Sequence, residues 1–101
     1  MVVKNKQDAA RVLADVTGDK RFFCEDGCVS ANLTELVNCL NYMTEATFNH
    51  HVTSWKNDFS TWIRNVLGDD KLAGDLTKVN NPIEAAKVAT QRVAWLQKKS
   101  K

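Results

Sequence analysis

The chain has 101 residues, 44% of them apolar and 26% charged, with a formal net charge of +2. That is the size and composition of one globular domain, able to bury a core without help from a metal or a disulfide. An odd count of three cysteines, no stretch near the roughly 18 apolar residues of a membrane span and no apolar run behind the first charges argue against a secreted disulfide scaffold and a membrane protein, and lead to the expectation of a soluble cytoplasmic domain.

The first element is a helix, because Ala9, Val12, Leu13 and Val16 recur at i, i+3, i+4 and i+7. Gly18 follows this stripe where a helix-ending glycine belongs. The next segment, residues 21–30, breaks the helical period. It sets Asp26-Gly27 between short apolar runs, a hairpin signal. A two-residue Asp26-Gly27 turn places Cys24 opposite Val29 and Phe22 opposite Ala31. A three-residue Glu25-Asp26-Gly27 loop instead places Cys24 opposite Cys28 and Phe23 opposite Val29. The first register is preferred, since it gathers Phe22, Cys24, Val29 and Ala31 on one face. An isolated hairpin is marginal, so it must pack on helices.

Three more stripes with the same spacing follow: Leu33, Leu36, Val37, Leu40; Phe48, His51, Val52, Trp55; and Phe59, Trp62, Ile63, Val66. Asn32 with Glu35 forms a capping-box pair before the first of these. Thr44 caps the next, and Asn57 or Asp58 the one after, which Gly68 ends. Asp69 or Asp70 opens a short helix carrying Leu72, Ala73 and Leu76. Asn81-Pro82-Ile83-Glu84 is a further helix start, with a capping side chain, proline at the first position and a carboxylate at the positive end. This last helix is expected over about residues 82–98, with Ile83, Ala86, Ala89, Val93 and Leu96 or Trp95 turned inward.

Candidate chemistry is sparse. Cys24, Cys28, Cys39, His50 and His51 are the residue types of a tetrahedral zinc site. Cys24 and Cys28 are spaced by three residues rather than two, however, and the preferred hairpin register puts them on opposite faces. The pattern favours a small buried hydrophobe at Cys24 and two incidental thiols at Cys28 and Cys39. A catalytic reading pairs His51 with Asp58 as base and orienter and takes Cys28 or Cys39 as nucleophile. No motif supports that nucleophile, and no phosphate-cradling loop or pair of catalytic carboxylates is present. His51 on an apolar stripe reads instead as a core histidine bonded to a cap group or a carbonyl, with His50 outward. Neither a cofactor nor a metal is expected. Trp55 and Trp62 sit on stripes and should fill the core.

Charge is unevenly placed. Residues 1–84 hold nine Lys and Arg against twelve Asp and Glu, a net of −3, whereas residues 85–101 hold five basic residues and no acid, a net of +5. On the last helix Lys87, Gln91, Arg92, Trp95, Lys98, Lys99 and Lys101 form a basic surface with one aromatic residue. It suits a protein partner with Trp95 as anchor, a second copy of the chain included. It also suits nucleic acid, with lysines on phosphates and Trp95 stacked on a base. An ordinary solvated helix end, where cations meet the negative end of the dipole, is the simpler explanation of the same charges.

Phe22 with Asp26-Gly27, Asn32-Leu33 with Glu35-Leu36, Phe48 with His51-Val52, and above all Asn57-Asp58-Phe59-Ser60, Trp62-Ile63, Val66-Leu67-Gly68-Asp69 and Leu72-Ala73 resemble an uncharacterised small domain found in archaea and bacteria. The likeness covers residues 22–76. It implies a framework of Phe22, His51, Asn57, Asp58, Phe59, Trp62 and Gly68, and it implies no activity. The cysteines lie outside its pattern.

The expected fold is a mostly α domain over residues 1–101: a compact bundle of about five or six short helices with one β-hairpin near residues 21–31, and a frayed basic tail at 99–101. The expected function is a non-enzymatic binding or interaction module working through the basic C-terminal helix, with nucleic-acid binding as the alternative and a small enzyme or a zinc-binding domain as the third reading.

Overall fold

Each helix starts on a short polar side chain that accepts a hydrogen bond from an otherwise orphaned backbone N–H. The computed structural model describes residues 1–101. Asn5 caps α1 (Lys6–Leu13), Asn32 caps α2 (Leu33–Tyr42) and Thr44 caps α3 (Glu45–His51). Asn57 caps α4 (Asp58–Trp62), Asp69 caps α5 (Asp70–Leu76) and Asn81 caps α6 (Pro82–Lys99). At α2 the cap is reciprocal in spirit. Asn32 Oδ1 accepts from the Glu35 N–H at 2.8 Å, while the Glu35 carboxylate accepts from the Ala31 N–H at 2.7 Å.

Between α1 and α2 the chain makes a 3₁₀ turn, Gly18–Lys20, and a two-stranded antiparallel hairpin of β1 (Phe22–Phe23) and β2 (Val29–Ser30). Between α4 and α5 the helix continues through a π turn, Ile63–Leu67, and stops at Gly68. Gly68 holds φ +91°, left-handed backbone that L side chains rarely adopt, and its N–H bonds the Ile63 carbonyl at 2.7 Å.

The stripes meet in one interior. α6 lies across α1, α2 and α5, and α4 packs on α5. Leu33, Leu36 and Leu40 of α2 face Ala85, Ala86, Ala89, Val93 and Leu96 of α6, with Ala9 and Val12 of α1 and Leu72 and Leu76 of α5 joining them. Ala85, Ala86 and Ala89 form much of the buried side of α6. An aromatic group closes the hairpin end: Phe22 packs on Phe59 with ring centroids 5.2 Å apart and on Trp62 at 5.7 Å, and Phe48 stacks on Phe59 at 5.5 Å. Trp62 is buried as expected, and its indole N–H donates to the Lys20 carbonyl at 2.8 Å.

Four expectations are corrected. The hairpin adopts the three-residue loop: Phe22 pairs with Ser30 and Phe23 with Val29, and the Cys24 N–H bonds the Cys28 carbonyl at 2.9 Å. Gly27 at φ +93° supplies the left-handed residue that such a loop needs, and the Gly27 N–H closes a turn on the Cys24 carbonyl at 2.9 Å. Val29 consequently faces out, and Cys28 and Ser30 turn toward α2. Helix α1 ends at Leu13, because the Val16 N–H is taken by the Ala31 carbonyl at 2.7 Å; Gly18 therefore opens the 3₁₀ turn rather than ending α1. Trp55 is 93% exposed, since α3 stops at His51 and the chain reverses through a tight turn bridged by Val52 and Asn57. Ile83 is 81% exposed, because Pro82, Ala85 and Ala86 occupy the inward arc at that end of α6.

Candidate binding surface on the C-terminal helix

Arg92 does not belong to the free basic face that the sequence suggests. Its Nε donates to Asp69 Oδ2 at 2.7 Å and its terminal Nη2 to Asp69 Oδ1 at 2.9 Å, a bidentate pair. Asp69 is fully buried and also accepts from the Leu72 N–H at 3.4 Å, so one carboxylate caps α5 and ties it to α6. The Arg92 side chain is only 14% exposed. A buried carboxylate needs such a counter-charge, which makes Arg92 a structural residue. The sequence shows Asp69 as a cap and Arg92 as a surface cation, and no local pattern links positions so far apart.

The same ion pair fixes Trp95. The Arg92 guanidinium carbon lies 4.4 Å from the centre of the indole, and Lys99 Nζ lies 5.8 Å from it. Trp95 remains 42% exposed, whereas Leu96 is the residue turned inward. Beside Trp95, a depression of about 500 Å³ is lined by Val2, Val3, Asp70, Lys71 and Arg92. Lys87, Gln91, Lys98, Lys99 and Lys101 are all exposed, and α6 extends through Lys99. Lys87 and Gln91 border a second depression of about 300 Å³ with Leu40, Met43 and Ile83. The surface is thus an aromatic residue in contact with two cations, Arg92 and Lys99, on a helix that also exposes three further lysines and a glutamine.

The histidine cluster has a different character. His51 is buried, 5.4 Å from both Phe22 and Phe59 in ring centroids, while His50 is exposed. The Glu25 N–H donates to His51 Nε2 at 3.0 Å, which places the ring proton on Nδ1; Asp58 Oδ2 accepts from Nδ1 at 2.9 Å. Lys56 Nζ also donates to Asp58 Oδ2 at 3.0 Å. Burial by itself would raise the Asp58 carboxyl, but the hydrogen bonds from His51 and Lys56 and the charge of Lys56 outweigh it and hold that carboxyl below its ordinary value. The pairing of His51 with Asp58 is the one a base and its orienter would make. Here both ring nitrogens are occupied, and His51 lines none of the cavities. The arrangement joins the hairpin loop, α3 and α4. Asn57 extends it, capping α4 through Oδ1 and donating from Nδ2 to the Leu76 carbonyl at 3.2 Å.

The cysteines correct the expectation of incidental thiols. Cys28 and Cys39 form a disulfide between the hairpin and α2, with Cα atoms 6.1 Å apart, and only Cys24 is a free thiol. Burial pushes the Cys24 thiol up to about 11. No three His, Cys, Asp or Glu side chains stand together in a way that could hold a metal ion, and the disulfide removes two of the candidate thiolates. No helix is long and apolar enough to cross a membrane. No protein-family model matches the chain, and neither a curated protein nor a solved structure matches it.

Proposed function

We propose that the chain is a non-enzymatic binding module that contacts another protein, a second copy of itself included, through the exposed side of α6. Trp95 carries the proposal. It is an aromatic residue left 42% exposed and held by an arginine that a buried carboxylate fixes in turn. A rigid, half-exposed tryptophan has little side-chain entropy to lose on docking, which is the property of an interface anchor. The lysines around it favour a partner surface that carries carboxylates. A cytoplasmic setting and kinship with the archaeal and bacterial domain that residues 22–76 resemble belong to the same proposal and add no catalytic residue.

Light scattering over a concentration series tests the self-association form. The expected result is a mass that rises with concentration in the parent and stays monomeric in Trp95→Ala. A strictly monomeric parent at high concentration defeats it. Nucleic-acid binding is the second reading, favoured by Lys87, Lys98, Lys99 and Lys101 with no acid among them. Four phosphate contacts would give a log–log salt slope of about −3 to −4 on duplex DNA. No binding at about 50 mM salt would eliminate it.

A further inference from the structure

We propose that the Cys28–Cys39 disulfide is a thiol-exchange site, reached through the groove between the hairpin loop and α2 and selective for uncharged dithiols, whose state decides whether the hairpin stays fastened to α2. The groove holds about 430 Å³ and is lined by Asp26, Glu35, Asn38 and Tyr42 together with both cysteines. Cys28 is partly exposed there and Cys39 is buried, so Cys28 offers the sulfur that an incoming thiolate meets. The leaving sulfur is prepared as well. Ser30 is fully buried, and its hydroxyl oxygen lies 3.4 Å from Cys39 Sγ, where it can donate to a thiolate as one forms. Cys24 lies across the hairpin from Cys28, and its burial holds the thiol in the protonated form, which is the weak nucleophile.

The exchange balances with a dithiol as reductant. Its thiolate attacks Cys28 Sγ, the Cys28–Cys39 bond breaks, a mixed disulfide forms, and Cys39 departs as a thiolate that takes a proton from solvent. The second thiol gives up its proton and attacks the reagent sulfur of the mixed disulfide. Cys28 then leaves as a thiolate and is protonated. Two electrons pass to the protein, and the dithiol becomes a cyclic disulfide. Asp26 and Glu35 border the groove, and no cationic residue lines it, so a thiol carrying net negative charge besides its reacting thiolate is repelled more strongly than one that is otherwise uncharged. The hairpin has only two residues in each strand, and a two-stranded ribbon alone is marginal. Without the covalent tie its docking rests on non-covalent contacts alone: buried Phe22, Cys24 and Ser30, the bond from the Glu25 N–H to His51, and the bond from the Thr47 hydroxyl to the Glu25 carboxylate.

The test compares dithiothreitol with glutathione on the full chain, read by intact mass, by thiol alkylation and by amide exchange. Dithiothreitol should add about 2 Da, expose Cys28 to alkylation before Cys39 and Cys24, and speed exchange across residues 22–31. Glutathione should react at least about tenfold more slowly at low salt, with the gap closing as salt rises. Three alkylatable thiols in protein denatured without any reductant would overturn the proposal. So would unchanged hairpin exchange after full reduction, or equal rates for the two reductants at low salt.

Discussion

Asp69 is a fully buried carboxylate whose charge is met by Arg92. Arg92→Ala removes the partner and leaves the charge in the interior, so it should cost about 3–5 kcal/mol of stability by chemical denaturation. The loss should extend to Trp95, whose ring the guanidinium covers. The tryptophans give a second contrast at this scale. Trp62→Ala empties a buried aromatic site and strands the Lys20 carbonyl, at a cost of about 3–5 kcal/mol. Trp55→Ala should change stability by less than about 0.5 kcal/mol, because that side chain touches mainly solvent. Both tryptophans occupy apolar stripe positions, so periodicity alone assigns them the same fate. They differ because the helix around Trp62 continues and the one before Trp55 has already ended.

At the scale of elements, the capping residues were readable in advance because a cap is a local event: a side chain reaches an N–H within its own turn. Asn32, Thr44 and Asn81 stand where local chemistry puts them, and Asn57 and Asp69 resolve the two open choices. Asn57 does more than cap. Asn57→Ala should cost about 1–2 kcal/mol for the cap alone, and more with the Leu76 carbonyl left unpaired, measured by thermal or urea unfolding. The hairpin was readable as a hairpin, yet its register was not. Counting apolar area favoured Val29 inward. The observed register instead turns Cys28 toward Cys39 on α2 and Ser30 beside it, a gain visible only once α2 lies alongside. Of the candidate surface, the lysines are exposed, the open choice between Leu96 and Trp95 falls to Leu96 as the inward residue, and Arg92 is withdrawn by a partner 23 positions away.

For the whole molecule, the network around His51 couples folding to pH. The Asp58 carboxyl ordinarily titrates at 3.8 and is held lower in the folded protein. A folded value below the unfolded one means the folded state prefers the ionised group. That contribution is fully present above about pH 5 and is lost as the pH falls below 4 through the folded value. Urea unfolding of the parent and of Asp58→Asn should therefore show a stability gap near neutral pH that narrows below about pH 4. A gap independent of pH would mean that Asp58 acts only by shape.

What the sequence alone determined was local: five of the six helix starts, the apolar stripes, a reversal at Gly27 and a basic carboxyl-terminal helix. Each depends on residues within a turn or two of one another, where spacing and side-chain chemistry leave few alternatives. The tertiary structure decided the pairings between distant residues: Asp69 with Arg92, Cys28 with Cys39, and the Glu25 amide with His51. It also decided the hairpin register and the exposure of Trp55 and Ile83. The physical reason is that charge compensation, covalent bridging and burial depend on which surfaces meet, and a one-residue change of register or the end of a helix reverses which side of a chain meets its neighbour.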